Sequence, residues 1–153
     1  MKDYEKDGVL SKKDLTLPDE KQLEKGVAVL ECVQRIPCNP CVDVCPVEAI
    51  SMEDINAPPN IDFDKCVGCG KCVGVCPGLA IFVVKRGGGK GWVTLPYEFL
   101  PVPGKDQKVE LLDRRGKVVG EGVVKKTVEQ GETYVVTVEM DEKLVNDVRN
   151  IRV

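Results

Sequence analysis

Two stretches, "CNPCVDVCP" (38–46) and "CGKCVGVCP" (69–77), repeat one cysteine pattern, and that pattern constrains this chain more than anything else in it. Each reads C-x2-C-x3-C-P, and the match continues to a closing Ala-Ile at Ala49-Ile50 and at Ala80-Ile81. All 8 cysteines lie between Cys32 and Cys76. Disulfides tie distant parts of small secreted chains and accompany a signal peptide. Here the N-terminus, "MKDYEKDGVLSKKD", is highly charged and carries no apolar leader. No apolar stretch approaches the roughly 20 residues a membrane helix needs. The expectation is a cytoplasmic protein without a membrane span, its thiolates reduced and bound to metal.

The repeat breaks at its leading cysteine. Cys66 completes C-x2-C-x2-C-x3-C-P, but its counterpart in the first stretch would stand where Arg35 stands, and Cys32 falls opposite Phe63 instead. Three cysteines two residues apart can wrap one face of a [4Fe–4S] cube, whose four iron corners each take one thiolate. Gly68 and Gly70 lie inside that loop, where positive φ and close backbone approach are needed. Loop amides can then point at cluster sulfides. Pro46 and Pro77 follow the last cysteine of each run, restricting the backbone and removing a donor. Four-cysteine zinc sites pair C-x2-C with a distant second C-x2-C, so these triplets fit a single tetrahedral ion poorly.

This region resembles a bacterial-type two-cluster ferredoxin, on the run "CVGCGKCVGVCP" (66–77) and the preceding "IDFDKC". In that family the fourth cysteine of each run serves the other cluster. The resemblance implies two [4Fe–4S] clusters with crossed ligation, one on Cys66, Cys69, Cys72 and Cys45, the other on Cys32, Cys38, Cys41 and Cys76. Cys32 leaves three readings open. It ligates, with Val33 to Pro37 bulging outward; or it is a free structural thiol beside a three-iron cluster or an open iron corner; or the first site holds something else.

Beyond the cysteines, a charged arm (1–25) reads as a tail or as a segment ordering on a partner, helical around Asp19 to Lys25. "GVAVLEC" (26–32) is a strand signal, and each cysteine run leads into a short helix and then a strand. "KRGGGKG" (85–91) lacks both the P-loop and the dinucleotide glycine patterns, so it reads as a linker or hairpin turn. After it, 91–97, 108–113, 117–128, 133–140 and 148–153 read as half-buried antiparallel strands, and helical signal is weak apart from 141–147. The expected fold is α+β: a ferredoxin-like two-cluster module (26–85) followed by a small all-β barrel or sandwich of docking type (86–153).

The chain has no histidine, which removes the commonest general base. Its net charge of −3 and aromatic content of 5% do not make a nucleic-acid footprint. A cube held by four thiolates has no open coordination site, so the chain reads as an electron relay and as non-enzymatic by itself. The lone C-x3-C-x2-C triplet of radical chemistry is absent. "ECVQRIPCNPC" (31–41), "CPGLAI" (76–81) and "LPYEFLPVPG" (95–104) resemble the small iron–sulfur subunits of FAD-dependent dehydrogenases acting on amino acids or glycerol phosphate. That resemblance implies flavoprotein dehydrogenase subunits as partners, with FAD in a partner and none here, among other redox proteins. It also makes "PYEFLPVP" (96–103) either a docking strip or an ordinary proline-bounded loop. The alternatives are a free-standing ferredoxin and a non-redox interaction subunit stapled by its clusters.

Overall fold

Valine and threonine alternate with charged residues through 117–140, and that period of two builds the two longest strands of the molecule. The computed structural model describes residues 2–153, so Met1, the first residue of the expected arm, lies outside the described residues. In chain order the elements are α1 (Tyr4–Asp7), α2 (Glu20–Lys25), β1 (Val27–Leu30), α3 (Pro40–Val44), β2 (Ile50–Ser51), β3 (Asn60–Ile61), α4 (Lys71–Val75), β4 (Ile81–Gly87), β5 (Lys90–Tyr97), β6 (Lys108–Leu112), β7 (Val118–Gln130), β8 (Thr133–Asp141) and β9 (Asn150–Arg152). Seven strands form one antiparallel sheet in the order β1-β4-β5-β8-β7-β6-β9, and β2 pairs with β3 in a small separate ribbon.

The sheet runs unbroken from the cysteine region into the C-terminal half. β4 turns into β5 through Gly88 and Gly89, at φ 62° and 82°, with Gly87 opposite Lys90. Two consecutive positive φ values are what a tight two-residue hairpin needs, and glycine supplies them without Cβ strain. The glycine-rich segment is therefore a hairpin turn. A barrel or sandwich in 86–153 is not what the ladder forms. Because β5 pairs with β4, the C-terminal strands extend the sheet that β1 and β4 begin, and it ends open at β9.

The two faces of the sheet differ in kind. Val84, Val93, Val138 and Val124 stand opposite one another in register, each with no solvent exposure. One such buried valine contributes about 1.5–3 kcal/mol relative to exposure, so this row is the centre of the core. On the other face the neighbouring row reads Val83, Thr94, Thr137, Lys126. The cysteine loop 66–75 lies over that second, mixed face.

The arm packs on the chain's own body. Asp19 caps α2 by accepting from the Gln22 N–H at 2.9 Å, while the Gln22 side chain accepts from the Asp19 N–H at 2.9 Å. Leu23 is buried, and Lys25 Nζ donates to the carbonyls of Phe63 (2.7 Å) and Asp64 (3.0 Å). Ion pairs Lys12–Asp147 and Arg115–Asp7 reach the far end of the chain.

Candidate metal centre

The two repeats fold alike at their ends. Cys45 and Cys76 have nearly the same backbone, φ −68°, ψ 114° and φ −72°, ψ 113°, the extended conformation that a following proline imposes. Three residues on, Glu48 and Leu79 each adopt φ 53°, the left-handed region. That bend turns the next amide back: Ala49 N–H donates to Cys45 Sγ at 3.3 Å, and Ala80 N–H to Cys76 Sγ at 3.5 Å. A non-glycine residue in this region costs about 1–2 kcal/mol. Both copies carry that strain where an amide is aimed at sulfur.

The leading loops differ. Gly68 and Gly70 take φ 70° and 78°. At Gly68 an added Cβ would lie 2.7 Å from the Gly26 carbonyl oxygen, so the loop closes against β1 only with glycine there. Ala28 N–H, on β1, donates to Cys66 Sγ at 3.3 Å. In the first loop Arg35, Ile36 and Pro37 stand out in solvent, and the chain returns where Cys38 N–H donates to the Ile55 carbonyl at 3.1 Å.

The structure brings the sequence-predicted cysteines together in two crosswise groups. Cys32, Cys38, Cys41 and Cys76 line one small cavity walled by Ile36, Ala57, Pro59, Pro77 and Ile81. Cys72 has Cys66, Cys69 and Cys45 as its thiol neighbours. All 8 cysteines are free thiols. Burial pushes the Cys41 thiol up to about 11 and the Cys72 thiol up to about 12, with neighbouring thiols adding to each. Cys32 is raised as well, by burial first. Cys41 and Cys72 are therefore neutral thiols at neutral pH without a cation, so metal capture there must release protons.

Among the described residues no group of three Cys, Asp or Glu side chains converges tightly enough to grip one metal ion. Thiolates on a single zinc lie about 3.8 Å apart, from Zn–S bonds of about 2.3 Å. Each group gathers four thiols, and amide donors are already aimed at Cys45, Cys66 and Cys76, an arrangement that suits a guest with four metal corners. The residues present fit [4Fe–4S] cubes.

Residues 31–80 match the family described as "4Fe-4S dicluster domain". This region is a dicluster ferredoxin domain, with the iron–sulfur electron-transfer character of such domains. An uncharacterised ferredoxin of Methanocaldococcus jannaschii is 43% identical over 47 residues, covering 31% of this chain and 30% of that protein. The polyferredoxin-like subunit of an aliphatic sulfonate oxidoreductase from Pyrococcus furiosus is 34% identical over 74 residues, 48% of this chain and 41% of that subunit. The chain thus spans well under half the length of these curated relatives. No solved structure matches. Among the described residues no helix is long and apolar enough to cross a membrane.

One feature of the site has no signal in the cysteine pattern. Glu31, next to Cys32, accepts on Oε1 from Arg114 Nε at 2.7 Å, and on Oε2 from both Arg114 Nη2 at 3.2 Å and Arg149 Nε. Arg149 also donates to the carbonyls of Val145 (2.8 Å) and Val148 (2.6 Å) and lies 5.1 Å from the Phe82 ring centre. The three side chains are 7%, 11% and 5% exposed. Burial lowers the Arg149 pKa against the opposing pull of Glu31. A charged residue closing the apolar run "VAVLEC" was the one clue to this clamp.

Proposed function

We propose that the chain relays electrons through two [4Fe–4S] clusters, one on Cys32, Cys38, Cys41 and Cys76 and the other on Cys66, Cys69, Cys72 and Cys45, as the ferredoxin-like subunit of a multi-subunit flavin-dependent dehydrogenase. The observation that carries this reading is the crosswise grouping of the thiols, each fourth cysteine coming from the other repeat. The clusters, when bound, supply reversible one-electron redox chemistry. The chain's own residues hold, orient and shield them. Prolines and Ile81 keep water from the first site, and the amides of Ala28, Ala49 and Ala80 offset sulfur charge, which raises reduction potential.

The subunit half of the proposal is supported by the Pyrococcus relative, whose name makes it a polyferredoxin-like subunit of an oxidoreductase. The flavin partner rests on the resemblance of 31–41, 76–81 and 95–104. On this reading 26–85 is the electron-transfer module, 86–153 the docking part, and the chemistry on substrate belongs to the FAD-bearing subunit. Phe99 and Leu100, 62% and 85% exposed on the 96–103 strip, suit such a contact. The protein works in the cytoplasm, where its thiols stay reduced for metal.

The test is anaerobic isolation from native cells, with iron and sulfide counting, electron paramagnetic resonance and flavin analysis of the same fraction. About eight irons, coupled reduced-cluster spectra and a co-purifying flavoprotein are the expected result. Eight irons on a solitary chain would replace the subunit reading with a free carrier. A chain without iron would overturn both.

A further inference from the structure

The cysteine loop 66–75 does not bury its whole edge. Cys69 is exposed, while Cys66 and Cys72 are buried. Beside Cys69 lies a groove in two joined parts, which share Gly68, Thr94 and Thr137. Its floor is the mixed face of the sheet, where the Thr94 and Thr137 hydroxyls hydrogen-bond at 2.9 Å.

The rim of this groove has one sign of charge. Lys71 and Lys126 border one part and Lys25 and Lys85 the other, all four exposed, and no carboxylate lines either part. None of the four is in an ion pair among the described residues. Lys25 is held by backbone carbonyls alone. Glu139, in the next row of the same face, is already taken by Lys90 and Lys125 and by the Trp92 indole N–H. This happens in a chain with 25 acidic and 22 basic residues, so the patch runs against the overall balance.

From this we infer that the lysine-rimmed groove beside Cys69 is the docking face through which the second cluster exchanges electrons with an acidic redox protein. The inference rests on the ligand reading above. One-electron transfer falls off steeply with distance, so a partner gains most by seating where a cluster ligand reaches the surface. Four unpaired lysines around a groove without carboxylates attract an acidic surface to that spot and orient it. A cluster held by Cys66, Cys69, Cys72 and Cys45 would supply one electron and the partner's acceptor would take it, with no bond or proton needing to move.

The experiment uses the full chain, reduced, with its iron counted beforehand, and stopped-flow oxidation by an acidic flavodoxin as the protein probe. Ferricyanide and hexaammineruthenium(III) serve as small anionic and cationic oxidants. At low ionic strength, Lys71→Glu/Lys126→Glu should slow the flavodoxin reaction about tenfold or more, slow ferricyanide, and speed hexaammineruthenium. The differences should close as salt shortens the screening length to about 3 Å near 1 M. Lys105→Glu/Lys117→Glu, with the same charge change elsewhere, should leave all three rates near wild type. The milder Lys71→Gln and Lys126→Gln should fall between. If the groove variants keep full iron and react like the control pair, the docking face is wrong and the cluster reading stands. If the wild-type chain carries no [4Fe–4S] spectrum, the cluster reading itself falls, and this face with it.

Discussion

The second cysteine loop rests on the sheet, whereas the first packs mainly on the second loop's helix. α4 buries Cys72 and Val73 against the sheet, and Gln130 at the end of β7 donates to the Lys71 carbonyl at 3.2 Å. α3 buries none of its residues. It packs on α4 and on β2 of the ribbon, and the Glu31 clamp stands at the start of its loop. Two copies of one motif thus have unequal support. The copy with the regular cysteine spacing is built into the scaffold, and the widened one reaches it through that copy's helix and begins beside a long-range charge cluster.

The largest effect should separate the loops by their ligands. Cys72→Ala removes a thiol at the centre of the supported loop, and iron content should fall by at least half with a marked drop in melting temperature, since metal binding and folding are coupled. Cys32→Ser should cost only the first site, leaving about four irons or producing a three-iron signal while the second-site spectrum persists. Unchanged iron in Cys32→Ser would make Cys32 a structural thiol. Full iron and an unchanged melt in Cys72→Ala would remove the ligand assignment for the second loop.

Next comes the clamp. Arg149→Met leaves Glu31 with Arg114 alone, and breaking a buried pair from one side costs about 3 kcal/mol. If the clamp serves the first loop, chemical denaturation should register that loss, and the first-site resonance should weaken before the second. Equal loss from both sites would mean that Arg149 supports the sheet as a whole, and the contrast between the loops would lose its main cause.

How much of this contrast could be read from residues alone is itself informative. The crossed cysteine grouping came only from the family resemblance. The repeat, the strand positions after residue 90 and the short helix within Asp19 to Lys25 were legible because each depends on local spacing. The open seven-stranded sheet was not. Alternation identifies a half-buried strand but not which edge it pairs with, so β5 joining β4 is invisible until the hairpin is seen. The clamp escaped for the same reason, since Glu31 meets Arg114 and Arg149 across most of the chain. The left-handed bends were masked by a misleading cue. Glycine stands at Gly78, yet its neighbour Leu79 takes the positive φ.

Thiol titration sharpens the comparison on a smaller scale. In the cluster-free chain, burial raises Cys41 to about 11 and Cys72 to about 12. A raised thiol pKa means the folded state keeps protons that the unfolded state gives up. Its contribution to stability is therefore whole below about pH 9, the unfolded value, and is lost as pH rises toward 11 for Cys41 and 12 for Cys72. Alkylation at pH 9 read by mass spectrometry should find Cys69, exposed, reacting fastest, Cys41 slower and Cys72 slowest. Cys41 protected as well as Cys72 would argue that the first loop is as firmly supported as the second.

The smallest expected effect tests what the loops share. Glu48 and Leu79 hold the same left-handed bend, but Glu48 is exposed and Leu79 half-buried. Glycine relieves a strain of about 1–2 kcal/mol and adds back about 0.5–1 kcal/mol of chain entropy. Glu48→Gly should therefore leave stability unchanged or raise it by up to about 1 kcal/mol, because its side chain buries little. Leu79→Gly gives up apolar contact as well, and should come out neutral to mildly destabilising. Both variants should keep full iron, since the amides of Ala49 and Ala80 still turn back to sulfur. A clear loss of stability in Glu48→Gly would show that the bend is not strained in the first loop, and that the two copies differ even where their backbones agree.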